Sequence, residues 1–203
     1  MVEFFVNGGS FMWPILGTLI IGLAFVGERL YHLVRALKTK FDFAVSLCSI
    51  IEKKGFNEGK KVCEEAEGPV ANLCYNALDV ADQGPEAVEK KLSQTAGIEM
   101  ASLEKNMTWI SLCIATAPML GFLGTIAGMI VAFADIAAAE NISPKIVANG
   151  IGQALYTTAF GLVVAVIIQF GQNTIMFIID NLIVTIQKSM TVVLQSIAKK
   201  HDK

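Results

Sequence analysis

The sequence predicts an all-α integral membrane protein with three transmembrane helices and long cytoplasmic helical extensions. Two observations carry this. The chain is 54% hydrophobic with a mean hydropathy of +0.56, too apolar for an ordinary soluble domain. Its apolar residues are also gathered into long uncharged runs. There are 29 residues without a formal charge between Lys105 and Asp135, 34 between Lys145 and Asp180, and a third run from Phe4 to Gly27. A crossing helix needs roughly 20 apolar residues. Backbone amides must be paired inside a bilayer, which leaves only helices and closed barrels, and these runs are too continuous for barrel strands.

The elements follow in order. Residues 1–10 form an amino-terminal tail, and residues 11–27 the first crossing. No basic residues precede this run and no small-residue cleavage site follows it, so it is expected to be a retained anchor. Trp13 and Pro14 suit the first turn of an interfacial helix. Residues 28–105 are polar and mixed in sign, with 11 of the 16 Lys and Arg and 13 acids. Gly55, Gly59, Gly68-Pro69 and Gly84-Pro85 read there as turns between short helices. A helical pattern from about Pro85 to Lys105 is expected to feed directly into the second crossing, residues 106–134. Residues 135–145 form a short link, with Ser143-Pro144 as a helix start. The third crossing is 146–179. The tail, 180–203, prolongs it as one helix, because Leu182, Ile183, Ile186, Met190, Val193, Leu194 and Ile197 continue an apolar stripe.

Charge sets the expected orientation. The 28–105 segment and the tail carry 15 of the 16 basic residues, so both belong in the cytoplasm, with the amino terminus and the 135–145 link outside. Basic residues near the membrane can also meet anionic lipid heads. A net charge of −2 gives no indication of nucleic-acid binding. The four cysteines form no CxxC pair, and His32 and His201 have no partners at ligand spacing, so neither a metal site nor an enzyme's catalytic pair is expected.

Two stripes of small residues are the informative pattern. Gly121, Gly124, Thr125, Gly128 and Ala132 recur at spacings of three and four, as do Gly150, Ala154, Thr158, Gly161 and Ala165. Such stripes allow close helix packing in membranes. The glycines are expected to face neighbouring copies of the chain, with the two threonines turned inward as a polar level. Thr108, Ser111, Thr116, Asn149, Gln153, Thr157, Gln169, Gln172 and Asn173 are among the other polar residues of the two runs. No titratable Asp, Glu, Lys, Arg or His lies deep in any run, so a coupled ion would need its charge partner from another subunit.

Three stretches carry a family resemblance. "ATAPMLGFLGTIAGMIVAF" (115–133), "GIGQALYTTAFGLVVAV" (150–166) and "MWPILGTLIIGLAFVGERLYHL" (12–33) resemble the three helices of the MotA/TolQ/ExbB family of ion-channel subunits, closest to its three-crossing ExbB and TolQ branches. The resemblance implies a ring-shaped homopentamer in the bacterial inner membrane. It implies a pore lined by the second and third helices, holding a dimer of an ExbD- or TolR-like single-crossing subunit whose Asp binds the ion. It implies work delivered to a TonB- or TolA-like protein, for outer-membrane transport or envelope maintenance. Thr125 and Thr158 match the pore hydroxyls. Where the family usually has Glu, this chain has Gln153, which cannot ionise. The resemblance implies H+ as the translocated ion; Gln153 opens Na+ as the alternative, since Thr125, Thr158 and Gln153 are all oxygen donors. No other cofactor is implied. A passive scaffold, in which the stripes merely pack helices, is the competing reading.

Overall fold

The computed structural model describes residue 5 and residues 8–36, 41–138 and 144–201. The expected Ser143 cap and most of the amino-terminal tail lie outside the described residues. The helices are α1 (Met12–Ala36), α2 (Phe41–Lys54), α3 (Phe56–Glu65), α4 (Pro69–Asp79), α5 (Pro85–Leu103), α6 (Met107–Ala138) and α7 (Pro144–His201), with a 3-10 turn at Ala81–Gln83. Stretches within Met12–Ala36, Pro85–Ala138 and Ala148–Lys199 are long and apolar enough to cross a membrane. The chain divides into two compact units, one of residues 1–28 and 106–174, the other of residues 29–105 and 175–203.

The second unit is a helical bundle with a conventional core. Leu47 and Ile51 of α2, Leu73, Cys74 and Leu78 of α4, and Val88 and Leu92 of α5 are fully or almost fully buried. So are Ile179, Leu182, Ile186, Val193 and Ile197 on α7, while Ile183, Met190 and Leu194 of the expected stripe are partly exposed. Burying an aliphatic side chain of this size contributes about 1.5–3 kcal/mol relative to exposure. The ion pairs Arg35–Glu67 (2.9 Å) and Lys199–Glu52 (3.4 Å) lie in solvent and add little by comparison. Gly55, Gly68 and Gly84 precede α3, α4 and α5 with φ of 92°, 131° and 99°, a region other residues avoid. Gly59 corrects the expectation of a turn. It lies inside α3, where an added Cβ would sit 3.1 Å from Ile51 and from Leu78, so close helix packing explains this glycine.

A second correction concerns the junction before the second crossing. The helix does not run on unbroken. Residues 104–106 form a turn, and Asn106 adopts φ 65° before α6 begins. Asn is among the few residues that tolerate this conformation. Its side-chain amide donates to Glu28 Oε2 at 3.1 Å.

Cys48, Cys63 and Cys74 come from three different helices of the bundle, and all are free thiols. Burial pushes the Cys63 thiol up to about 12. Burial pushes Cys74 higher still, with smaller contributions from Cys63 and Cys48. The thiolate is the reactive form, so both should be inert while the bundle is folded. Maleimide labelling followed by peptide mass spectrometry at pH 7.5 is expected to modify Cys63 and Cys74 about tenfold or more slowly in the folded chain than after denaturation. Equal rates would mean that the bundle opens readily.

Candidate functional site: a hydroxyl level between two small-residue helices

In the first unit, α1 up to Glu28 packs on α6 and on α7 up to Thr174. Gly22 of α1 lies where a Cβ would meet Ile168 Cδ1 at 2.5 Å and Cys113 Cβ at 3.4 Å. Gly171 of α7 similarly faces Val26, at 2.8 Å. Phe25 and Trp109 stack with ring centroids 6.2 Å apart. Ahead of α1, Phe5 meets Trp13 and Phe160 edge-on at 5.2 and 6.0 Å.

Helices α6 and α7 are antiparallel, and their small stripes face each other. A Cβ on Gly161 would lie 2.6 Å from the Ala117 carbonyl oxygen, and one on Gly121 would lie 2.9 Å from the Thr157 carbonyl oxygen. Gly124 faces the Thr157 side chain at 2.7 Å, Gly128 faces Ala154 at 3.3 Å, and Gly150 abuts Ala132. The expectation that these glycines face neighbouring copies is therefore corrected. The two stripes complement one another within one chain, and the surface left for other molecules carries large apolar side chains. Met119, Phe122, Ile130 and Phe133 of α6 and Leu155, Val163 and Phe170 of α7 are more than half exposed.

This close approach brings Thr125 and Thr158 together. Their hydroxyls are hydrogen-bonded to each other. Thr125 Oγ1 lies 3.2 Å from the Gly121 carbonyl of its own helix and 3.2 Å from the Ala154 carbonyl of α7. Thr158 Oγ1 lies 3.2 Å from the same Gly121 carbonyl. The two hydroxyls have only two protons between them for three kinds of acceptor. If Thr158 donates to Gly121 and Thr125 to Ala154, both oxygens keep lone pairs for a cation or an arriving proton. If one donates to the other, that capacity falls. The pair is half-buried.

Thr157, one residue away, is buried against Gly124, and its hydroxyl donates to Ala154 at 2.8 Å. Gln153 is not gathered with the threonines. It lies about 140° round α7 from Thr158, and its amide is packed against Gly9, whose φ is 74°. The acceptors at Gly121 and Ala154 are backbone carbonyls, which no side-chain pattern reveals. Among the described residues, no group of three His, Cys, Asp or Glu side chains is arranged to hold a metal ion.

Three apolar helices and a neutral hydroxyl level between two of them define a multi-pass helical membrane protein with a polar feature inside its apolar region. Residues 65–188 match the profile of the MotA/TolQ/ExbB proton channel family, and the chain belongs to that family. It is 28% identical over 169 residues to a biopolymer transport ExbB homolog from Methanothermobacter thermautotrophicus, covering 83% of this chain and 60% of that protein. It is 28% identical over 170 residues to an ExbB-like biopolymer transport protein from Synechocystis, covering 82% of this chain and 66% of that protein. It is 31% identical over 91 residues to the Tol-Pal system protein TolQ from Haemophilus influenzae, covering 43% of this chain and 40% of that protein. The chain thus spans a little under two thirds of the first two relatives. Family and apolar helices together make it a multi-pass inner-membrane protein.

Backbone contact at the stripes has a direct consequence. Gly161→Ala is expected to lower stability in mild detergent by about 1–3 kcal/mol, because the clash is with a carbonyl that cannot rotate away. Gly124→Leu is expected to prevent normal packing of α6 on α7. Gly152→Ala, with open space around the added carbon, should change little. Thermal unfolding of the three variants would show this order; equal behaviour would mean that α6 and α7 do not pack through these stripes.

Proposed function

We propose that this chain is the ion-channel subunit of an ExbB/TolQ-like motor. In this reading five copies form a ring around an ExbD- or TolR-like dimer, whose membrane Asp supplies the charge that the three runs lack. Ion flow down the gradient becomes mechanical work on a TonB- or TolA-like protein, serving outer-membrane transport or envelope maintenance. The amino terminus lies in the periplasm and the carboxyl terminus in the cytoplasm. The observation that carries the reading is the Thr125–Thr158 hydroxyl pair at matching positions of two largely apolar helices. A lone membrane threonine can satisfy itself on its own helix. Here the hydroxyls share acceptors across two helices and retain oxygen lone pairs for an ion. The passive scaffold needs the glycines but not this pair.

The ion is H+ in this reading, with Na+ as the second candidate, because Gln153 replaces an ionisable residue and Thr oxygens suit a hard cation. Thr158→Val keeps the shape and removes the hydroxyl. It is expected to assemble normally and to lose ion-coupled activity roughly tenfold or more, the scale of an unmet polar contact in a dry site. Thr157→Val, buried against Gly124, is expected to do less harm. A gradient-dependent uptake or envelope-integrity assay at matched amounts of each variant checks this, and full activity of Thr158→Val would sink the assignment. Loss of wild-type activity on sodium removal would select Na+.

Because the small stripes are used within the chain, copies must meet through the larger apolar side chains. Native mass spectrometry in mild detergent is expected to show five copies. A stable monomer or dimer would count against the ring.

A further inference from the structure

A second polar level lies on the same helices. Ser111 precedes Thr125 by fourteen residues, and Gln172 follows Thr158 by fourteen. Fourteen residues are about 21 Å of helix and four turns less about 40°. Both residues therefore stay near the faces that carry the threonines, and the antiparallel pairing that joins Thr125 to Thr158 also joins Ser111 to Gln172. Gln172 Nε2 donates to Ser111 Oγ at 2.6 Å. Gln169 Nε2 donates to Asn173 Oδ1 at 2.9 Å and more weakly to Gln172 Oε1 at 3.4 Å. The nearest charged positions are Lys105, six residues before Ser111, and Asp180, eight after Gln172. The group thus sits about 9–12 Å of helix inside the uncharged runs.

Resting on the channel reading above, we propose that Ser111, Gln169, Gln172 and Asn173 form a second cation-coordinating level at the inner end of the ion path. It would take a partly hydrated monovalent cation, Na+ or hydronium, on neutral oxygens. Helix-to-helix glue would require only the Ser111–Gln172 bond. Gln169 and Asn173 donate and accept on α7 itself, and Asn173 is exposed. At this depth, near the edge of a roughly 30 Å hydrocarbon core, exposed amides call for polar surroundings. Their presence is explained if that face meets water and an ion. Ser111 Oγ, Asn173 Oδ1 and Gln172 Oε1 each accept one bond in this network and keep a second lone pair, and neutral oxygens are the donor class that hard cations select. Neutral oxygens suit passage, since an ion must bind well enough to enter and weakly enough to leave.

The test uses the complex of this chain with the membrane partner that co-purifies with it, reconstituted in liposomes. Proton entry is read with an internal pH dye and sodium entry with 22Na+, under imposed gradients. Gln169→Leu/Gln172→Leu is expected to co-purify with the partner normally and to lower flux of the carried ion about tenfold or more. Gln172→Glu, the isosteric variant that guards against misfolding, is expected to keep flux and make it dependent on internal pH. Unchanged flux in the Leu variant, or pH-independent flux in Gln172→Glu, would overturn the proposal, and so would loss of the partner from both variants, which would make the amides a helix-binding surface. Thr158→Val in the same liposomes separates the two readings. If it lowers flux while the Leu variant does not, the channel stands and the second level falls. If the wild-type complex carries neither ion, both fall.

Discussion

The close approach of α6 and α7 is the constraint on which the rest of the first unit depends. In a bilayer there is no hydrophobic gain from pressing one apolar helix on another, so association rests on van der Waals fit and on hydrogen bonds between helices. The fit requires hydrogen atoms where Gly121, Gly124, Gly128, Gly150 and Gly161 stand. At Gly121 and Gly161 the opposing atoms are backbone carbonyl oxygens. The same proximity carries the Thr125 and Thr158 hydroxyls across the interface to shared acceptors. Packing and polar chemistry are therefore one feature, and a substitution that separates the helices also dismantles the hydroxyl level.

The second unit is held by different physics. Its core is aliphatic, its turns are set by glycines at positive φ, and its ion pairs are exposed. Buried thiols in this unit behave as small apolar groups with their proton held on, which agrees with their scattered positions in the sequence. Each unit thus follows the rules of one solvent: dispersion and small residues for the first, burial of large aliphatic side chains for the second.

Much of this was legible in the chain. The long uncharged runs and the apolar stripe from Leu182 to Ile197 foretell α6 and the length of α7, because period and hydropathy are local properties. The small stripes were visible as packing surfaces, but not the surface they pack on. Spacing on one helix cannot say whether its complement lies in the same chain or in another copy. Gly59 reads like Gly55 and Gly68 until the structure shows Ile51 and Leu78 against it. The turn at Asn106 is carried by one residue's φ and by a distant Glu28, which no local pattern reveals. Thr125 and Thr158 stood out because each is the single hydroxyl in its stripe. Gln153 is grouped with them by the family resemblance and by its oxygen, and helix geometry puts it on another face.

In the proposed channel, neutrality of the lining is a working property. A carboxylate or ammonium placed at mid-membrane in this subunit would carry a standing cost of about 2.5–3.5 kcal/mol or more. It would also hold a cation at one place in the ring. Hydroxyls whose protons can be turned onto backbone carbonyls avoid both. They can offer oxygen to an ion, and they can satisfy one another, as Thr125 and Thr158 do here. The charge that binds the ion can then reside on a partner, which is free to move past the ring while the lining stays the same. Gln153 accords with this division. It keeps the shape and hydrogen-bonding capacity of a glutamic acid while adding no fixed charge, and its amide is engaged at Gly9, away from the hydroxyl pair. Whatever titrates or dehydrates along the path must then do so on the partner's side, and the ring supplies only a graded series of neutral oxygens.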